Sequence, residues 1–156
     1  MLAMRRPLLT VLAVATAALA LTSCSDDDGV ACVDGVVELG TGLDLELGDD
    51  CALVRISGTD TTVDVTGVDV EQVEINGDRN HVVADAVPEA VRISGQENTI
   101  EGVQLGTVEI HGDRNVVSVE DDVTAVAVHG NDNEVGAETV GDVTDGGDRN
   151  TFAESS

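Results

Sequence analysis

From Val54 onward, apolar residues alternate with polar ones in short runs, and the runs recur. Aligned, they read Val54-Arg-Ile-Ser-Gly58, Val73-Glu-Ile-Asn-Gly77, Val91-Arg-Ile-Ser-Gly95, Val108-Glu-Ile-His-Gly112, Val126-Ala-Val-His-Gly130 and Val143-Thr-Asp-Gly-Gly147, with the glycines 17 to 19 residues apart. Three residues after each glycine stands Thr61, Asn80, Asn98, Asn115, Asn133 or Asn150. Two further on comes an apolar Val63, Val82, Ile100, Val117, Val135 or Phe152. Alternation with period two predicts strands, and Gly-x-x-Asn between two such runs predicts a bend. A further apolar position precedes each unit, at Val70, Val87, Leu105, Val123 and Val140.

A unit this short cannot bury its own apolar face, so it must stack on its neighbours. Stacking in register gives an all-β, single-domain parallel β-helix, a β-solenoid of about six to seven rungs with roughly 18 residues per rung. At ~4.8 Å per rung the rod is about 30 Å long. The glycine is expected to supply a backbone φ that other residues resist. Asn80, Asn98, Asn115, Asn133 and Asn150 are expected to point inward at the bend and pass amide hydrogen bonds from rung to rung as a structural ladder.

The charges follow the same register. Two residues after each glycine sit Asp60, Arg79, Glu97, Arg114, Asp132 and Arg149, alternating in sign. Three residues before it sit Arg55, Glu74, Arg92 and Glu109, alternating again, then Ala127 and Thr144. Stacked, each arginine is expected to stand between two carboxylates, one rung away on either side. Exposed pairs of this kind contribute little each. Their value lies in register, because a one-rung slip sets like charge against like. Near the C-terminus Asp145 takes the place of an inward Ile or Val, so that rung is expected to fray or to cap the stack.

The length of 156 residues leaves room for one domain. With 31 acidic side chains against 7 basic ones and a formal charge of -24, the chain carries the wrong field for phosphate, which excludes a nucleic-acid partner. Residues 1–23 have the parts of a secretory signal: Arg5 and Arg6, an uncharged apolar run from Leu8 to Leu21, and then Leu21-Thr22-Ser23-Cys24. The run is too short to span a membrane comfortably. Leu-x-Ser-Cys looks like a bacterial lipobox, in which Cys24 receives diacylglycerol and becomes the first mature residue. An ordinary secretory signal with an incidental cysteine, or an uncleaved anchor, are the other readings. Residues 24–30 then form the lipidated cysteine and an acidic tether, and 31–156 the solenoid domain, with clear repeats over 54–152. Cys32 and Cys51 remain. In an exported protein they most simply form one disulfide, here spanning one rung and tying an irregular first coil to the second. A metal pair is the alternative, but there is no Cys-x-x-Cys spacing and no nearby histidine.

The repeated Val-x-Ile-x-Gly-x-x-Asn-x-Val, ending in Val143-Thr-Asp-Gly-Gly-Asp-Arg-Asn-Thr-Phe and preceded by a lipobox, resembles an actinobacterial family of small secreted proteins and lipoproteins. Its domain is known only as the domain-of-unknown-function family three thousand sixty, with units of the type Val-Ser-Gly-Ser-Asn-Asn-Thr-Val. The likeness covers roughly residues 50–152. It implies a cell-envelope location and a β-helical repeat, and brings no activity. Asp-Arg stands here where that pattern has Ser-Asn, and the cysteines come early.

Polysaccharide lyases and hydrolases occur among parallel β-helices, but their sites need a Lys or Arg base beside clustered Asp, or a carboxylate pair in a groove. All seven basic residues are arginines, the five beyond residue 23 are taken by the two charge columns, and no loop is long enough to wall a cleft. No catalytic residue is expected. His111 and His129 each precede a repeat glycine and would lie side by side on adjacent rungs, where zinc or copper could bridge them. The plainer reading makes them outward surface positions, filled elsewhere by Asn76 and Ser94; His81 sits at a different offset. Asp49-Asp50 and Glu120-Asp121-Asp122 are oxygen-rich, yet the Gly-Gly-x-Gly-x-Asp calcium repeat is missing. No cofactor is expected beyond weak, charge-driven calcium binding. A Thr-x-Thr column for ice is also missing. The sequence thus predicts a non-enzymatic structural or interaction module. It is lipid-anchored through Cys24 on the extracytoplasmic face of the cell membrane, with an envelope protein or glycan as partner. A divalent-cation or cell-wall glycan binding protein is the alternative, and a small envelope enzyme a second.

Overall fold

The structure is a computed structural model that describes residues 29–85 and 88–155. Residues 1–23, Cys24 and Val87 lie outside the described residues. The described chain forms fourteen strands: β1 (Val36–Leu39), β2 (Asp44–Glu46), β3 (Cys51–Ile56), β4 (Thr62–Asp64), β5 (Val70–Asn76), β6 (His81–Ala84), β7 (Ala90–Ser94), β8 (Thr99–Gly102), β9 (Leu105–His111), β10 (Val116–Val119), β11 (Asp122–Val128), β12 (Glu134–Ala137), β13 (Thr139–Asp145) and β14 (Thr151–Glu154). Odd strands make one seven-stranded sheet and even strands another, each strand pairing with the one two places along. Every pairing between strands is parallel, with Val73 opposite Val91, Val91 opposite Val108 and Val108 opposite Val126. The expected β-solenoid is the fold.

Two inward columns of the odd sheet, Val54-Val73-Val91-Val108-Val126 and Ile56-Ile75-Ile93-Ile110-Val128, face the even-sheet column Val63-Val82-Ile100-Val117-Val135. No member is more than 2% exposed. A buried Val or Ile of this kind contributes about 1.5–3 kcal/mol relative to its exposed state. The earlier apolar position explains the length of the odd strands. In β5 both Val70 and Val73 point inward although three residues apart, with exposed Glu71 and Gln72 between them. Strict alternation would turn one of them outward, so the strand bends there. Val140 and Phe152 are only partly buried, since they lie on the edge strands β13 and β14, beyond which no coil stacks among the described residues.

The repeat glycines are needed for a different reason from the one expected. Among them only Gly95 has a positive φ. The left-handed position is held two residues later, by Asp60, Arg79, Glu97, Arg114, Asp132 and Arg149, all with φ between 54° and 58°. The glycines serve close approach. A Cβ on Gly77, Gly95, Gly112, Gly130 or Gly147 would collide with the carbonyl oxygen of the glycine one rung before it. At the start of the rod Cys32 and Cys51 form the expected disulfide, linking positions one rung apart with Cα atoms at 5.9 Å. The first coil is more regular than expected, because β1 pairs with β3 over all four of its residues. Val30, the last residue of the expected tether, bridges Leu47.

Candidate functional site

The Gly-x-x-Asn corner holds the ladder that the repeat predicts. Asn80 donates from Nδ2 to Asn98 Oδ1 at 3.1 Å and to the Gly58 carbonyl at 2.9 Å, while its backbone N–H reaches the same Asn98 Oδ1 at 3.0 Å. The pattern repeats through Asn98, Asn115 and Asn133 to Asn150. Thr61 starts it, its backbone N–H donating to Asn80 Oδ1. The last amide has no following asparagine. Asn150 Nδ2 instead donates to Asp145 Oδ1 at 2.7 Å, and Gly147 N–H to the same oxygen at 3.0 Å. Asp145 is therefore exposed and still paired in β13, and it caps the ladder rather than fraying the rung.

A second ladder runs outside the first and was missed in the sequence. Asp78 Oδ1 accepts from Gln96 N–H, Asp113 Oδ1 from Asn131 N–H, and Asn131 Oδ1 from Asp148 N–H. Its column mixes Thr, Asp, Gln and Asn, with a break between Gln96 and Asp113 among the described residues, so no single residue type marks it. The only available signal was an oxygen-bearing side chain one residue after each repeat glycine.

The charge columns are made of pairs. Arg79 grips Asp60 with two hydrogen bonds at 2.8 and 2.9 Å, Arg149 holds Asp132 in the same way, and Arg114 joins Glu97 and the side chain of Gln96. Each of these arginines turns back to the carboxylate one rung before it. The expectation of two flanking carboxylates holds only at Arg55, which reaches both Glu74 and Glu38. At Arg79 the Nε–Nη2 edge of the guanidinium is engaged by the two oxygens of Asp60, so the bidentate pair is made with one neighbour only. The hydrogen bonds from Arg79 and Arg149 hold Asp60 and Asp132 below the usual carboxylate range.

In the other charge column Arg92 donates from Nε and Nη2 to a single oxygen, Glu109 Oε2, at 2.9 and 2.7 Å. The free Oε1 lies 2.7 Å from His111 Nε2. The hydrogen bond to His111, then that to Arg92, draws the Glu109 carboxyl downward. His129 follows His111 one rung later, and the rings stack with centroids 4.8 Å apart and planes 15° apart. The expected neighbours are thus in contact, and a carboxylate joins them. One ligand-type atom from each of Glu109, His111 and His129 falls within 4.8 Å of the others. Glu109 and His111 come from the end of β9 and His129 directly follows β11, at the outer face of the odd sheet. His81 is apart on the even sheet, its Nε2 3.4 Å from Glu101 Oε1 and without a hydrogen bond.

The acidic runs do not converge. Asp50 Oδ1 accepts from the Asp69 backbone, and the backbone of Asp121 lies between neighbouring coils, donating to Val103 and accepting from Glu138. A shallow depression beside Glu109 is lined by Gln72, Glu74, Arg92 and Thr107. Residues 56–110 match the model of a family described as "Protein of unknown function (DUF3060)". The resemblance carried by the repeats is borne out over those rungs, and it brings no activity. No curated protein and no solved structure matches the chain.

Proposed function

We propose that this protein is a lipid-anchored structural or interaction module of the cell envelope, a rigid acidic rod held on the extracytoplasmic face of the membrane through Cys24. The observation that supports it most directly is how the polar side chains are used. Asparagines, glycines and arginines are each engaged with the neighbouring rung, so they build a stiff scaffold whose sides are free for contact. The acidic field repels anionic lipid headgroups. Membrane residence therefore depends on the lipid, and a diacylglycerol supplies the two chains that stable anchoring requires. Four residues separate Cys24 from Gly29 along the chain, and Gly29 and Val30 already pack on the next coil. Metabolic labelling with a clickable palmitate, followed by fractionation, tests the reading. Label and membrane association are expected in the wild type and absent from Cys24→Ala, which is released. Equal membrane retention of the two chains without label would refute it.

A further inference from the structure

We infer that Glu109, His111 and His129 form a binding site for one divalent transition-metal ion of the zinc type. Two imidazole nitrogens and one carboxylate oxygen are a familiar three-ligand set for such an ion, leaving a fourth position open to water. Calcium and magnesium prefer oxygen alone. Around zinc, with bonds of about 2.0–2.2 Å, tetrahedral ligand atoms stand roughly 3.5 Å apart. The three donors lie within 4.8 Å of one another. Small side-chain rotations close the remaining gap, and both histidines are exposed enough to make them.

The surroundings favour the same assignment. Arg92 occupies only Oε2 of Glu109, which fixes the carboxylate and leaves Oε1 turned to His111. One rung beyond His129 the column holds Gly146, whose missing side chain keeps the flank open; a Cβ there would stand 3.2 Å from His129 Nδ1. On the other flank stands Ser94, paired with His111. Elsewhere the arginines meet carboxylates on neighbouring rungs, whereas here two identical basic rings meet face to face. A cation shared by these rings and the Glu109 carboxylate turns the juxtaposition into a link between neighbouring rungs.

The test uses the full chain in mild detergent, purified without a histidine tag. It is dialysed against zinc chloride with calcium in large excess to occupy the other carboxylates. One zinc per chain is expected. His111→Asn, His129→Asn and Glu109→Gln should each weaken binding by at least about tenfold, while His81→Asn leaves it unchanged. Cobalt substituted for zinc should give the visible absorption of a tetrahedral site, lost in the two histidine variants. Asparagine occupies the same column at Asn76, so these variants keep the fold, and circular dichroism without metal verifies it. Zinc binding of wild-type strength in the double variant His111→Asn/His129→Asn overturns the assignment, as does the lack of stoichiometric binding in the wild type.

Discussion

Asn115 is fully buried and takes part in hydrogen bonds on both sides, accepting from the backbone and side chain of Asn98 and donating to Gly95 and Asn133. Removing its amide strands several buried groups at once, so Asn115→Ala should cost about 2–4 kcal/mol, measured by urea unfolding. An unchanged midpoint would remove the inward ladder from the account of stability. At position 114 the backbone is left-handed, φ 57°. Glycine accepts that conformation and a β-branched residue does not. Arg114→Gly should therefore be more stable than Arg114→Val by about 1–2 kcal/mol. The reverse order would show that the left-handed backbone at this corner does not penalise a β-branched residue. Which residue carries the strain was not legible in the repeat, because glycine is the obvious candidate and the requirement for it comes from the neighbouring coil.

Pairs of coils are where the charges act. Asp132 is held low by Arg149, so it strengthens the folded state above the ordinary carboxylate range, and that contribution disappears as pH falls through its depressed pKa. In a carboxyl NMR titration Asp132 should therefore titrate below the usual range, and Arg149→Gln should return it there. No difference between the two chains would mean that the fork does not persist in solution. The arginine columns were visible in the sequence as alternation of sign. Their breakup into pairs was not, because it depends on which way each guanidinium turns. The disulfide acts on the first two coils only. From the loop it closes it should contribute about 3 kcal/mol, read as the loss of midpoint when the chain is unfolded under reducing conditions. Insensitivity to reductant would show the first coil to be held by its sheet pairing alone.

The whole rod is a one-dimensional stack in which each coil touches its two neighbours, so coils should be removable in register. Deleting residues 96–130 joins Gly95 to Asn131 and sets Arg79 against Asp132, preserving opposite signs. This shorter chain should still unfold cooperatively, with a lower midpoint and a smaller denaturant slope. If it fails to fold, the coils are not the independent units that the pairing suggests. The sequence by itself determined the solenoid, its period, the inward asparagines and the cysteine pair. A stack in register repeats each structural demand once per coil, and a repeated demand is written as a repeated residue. Only the tertiary structure decided the origin of the glycine requirement, the partner of each arginine, the outer ladder, the cap at Asp145 and the meeting of Glu109 with His111 and His129. Each of these depends on contacts between coils, where side-chain direction and backbone approach select one neighbour among several at the same spacing.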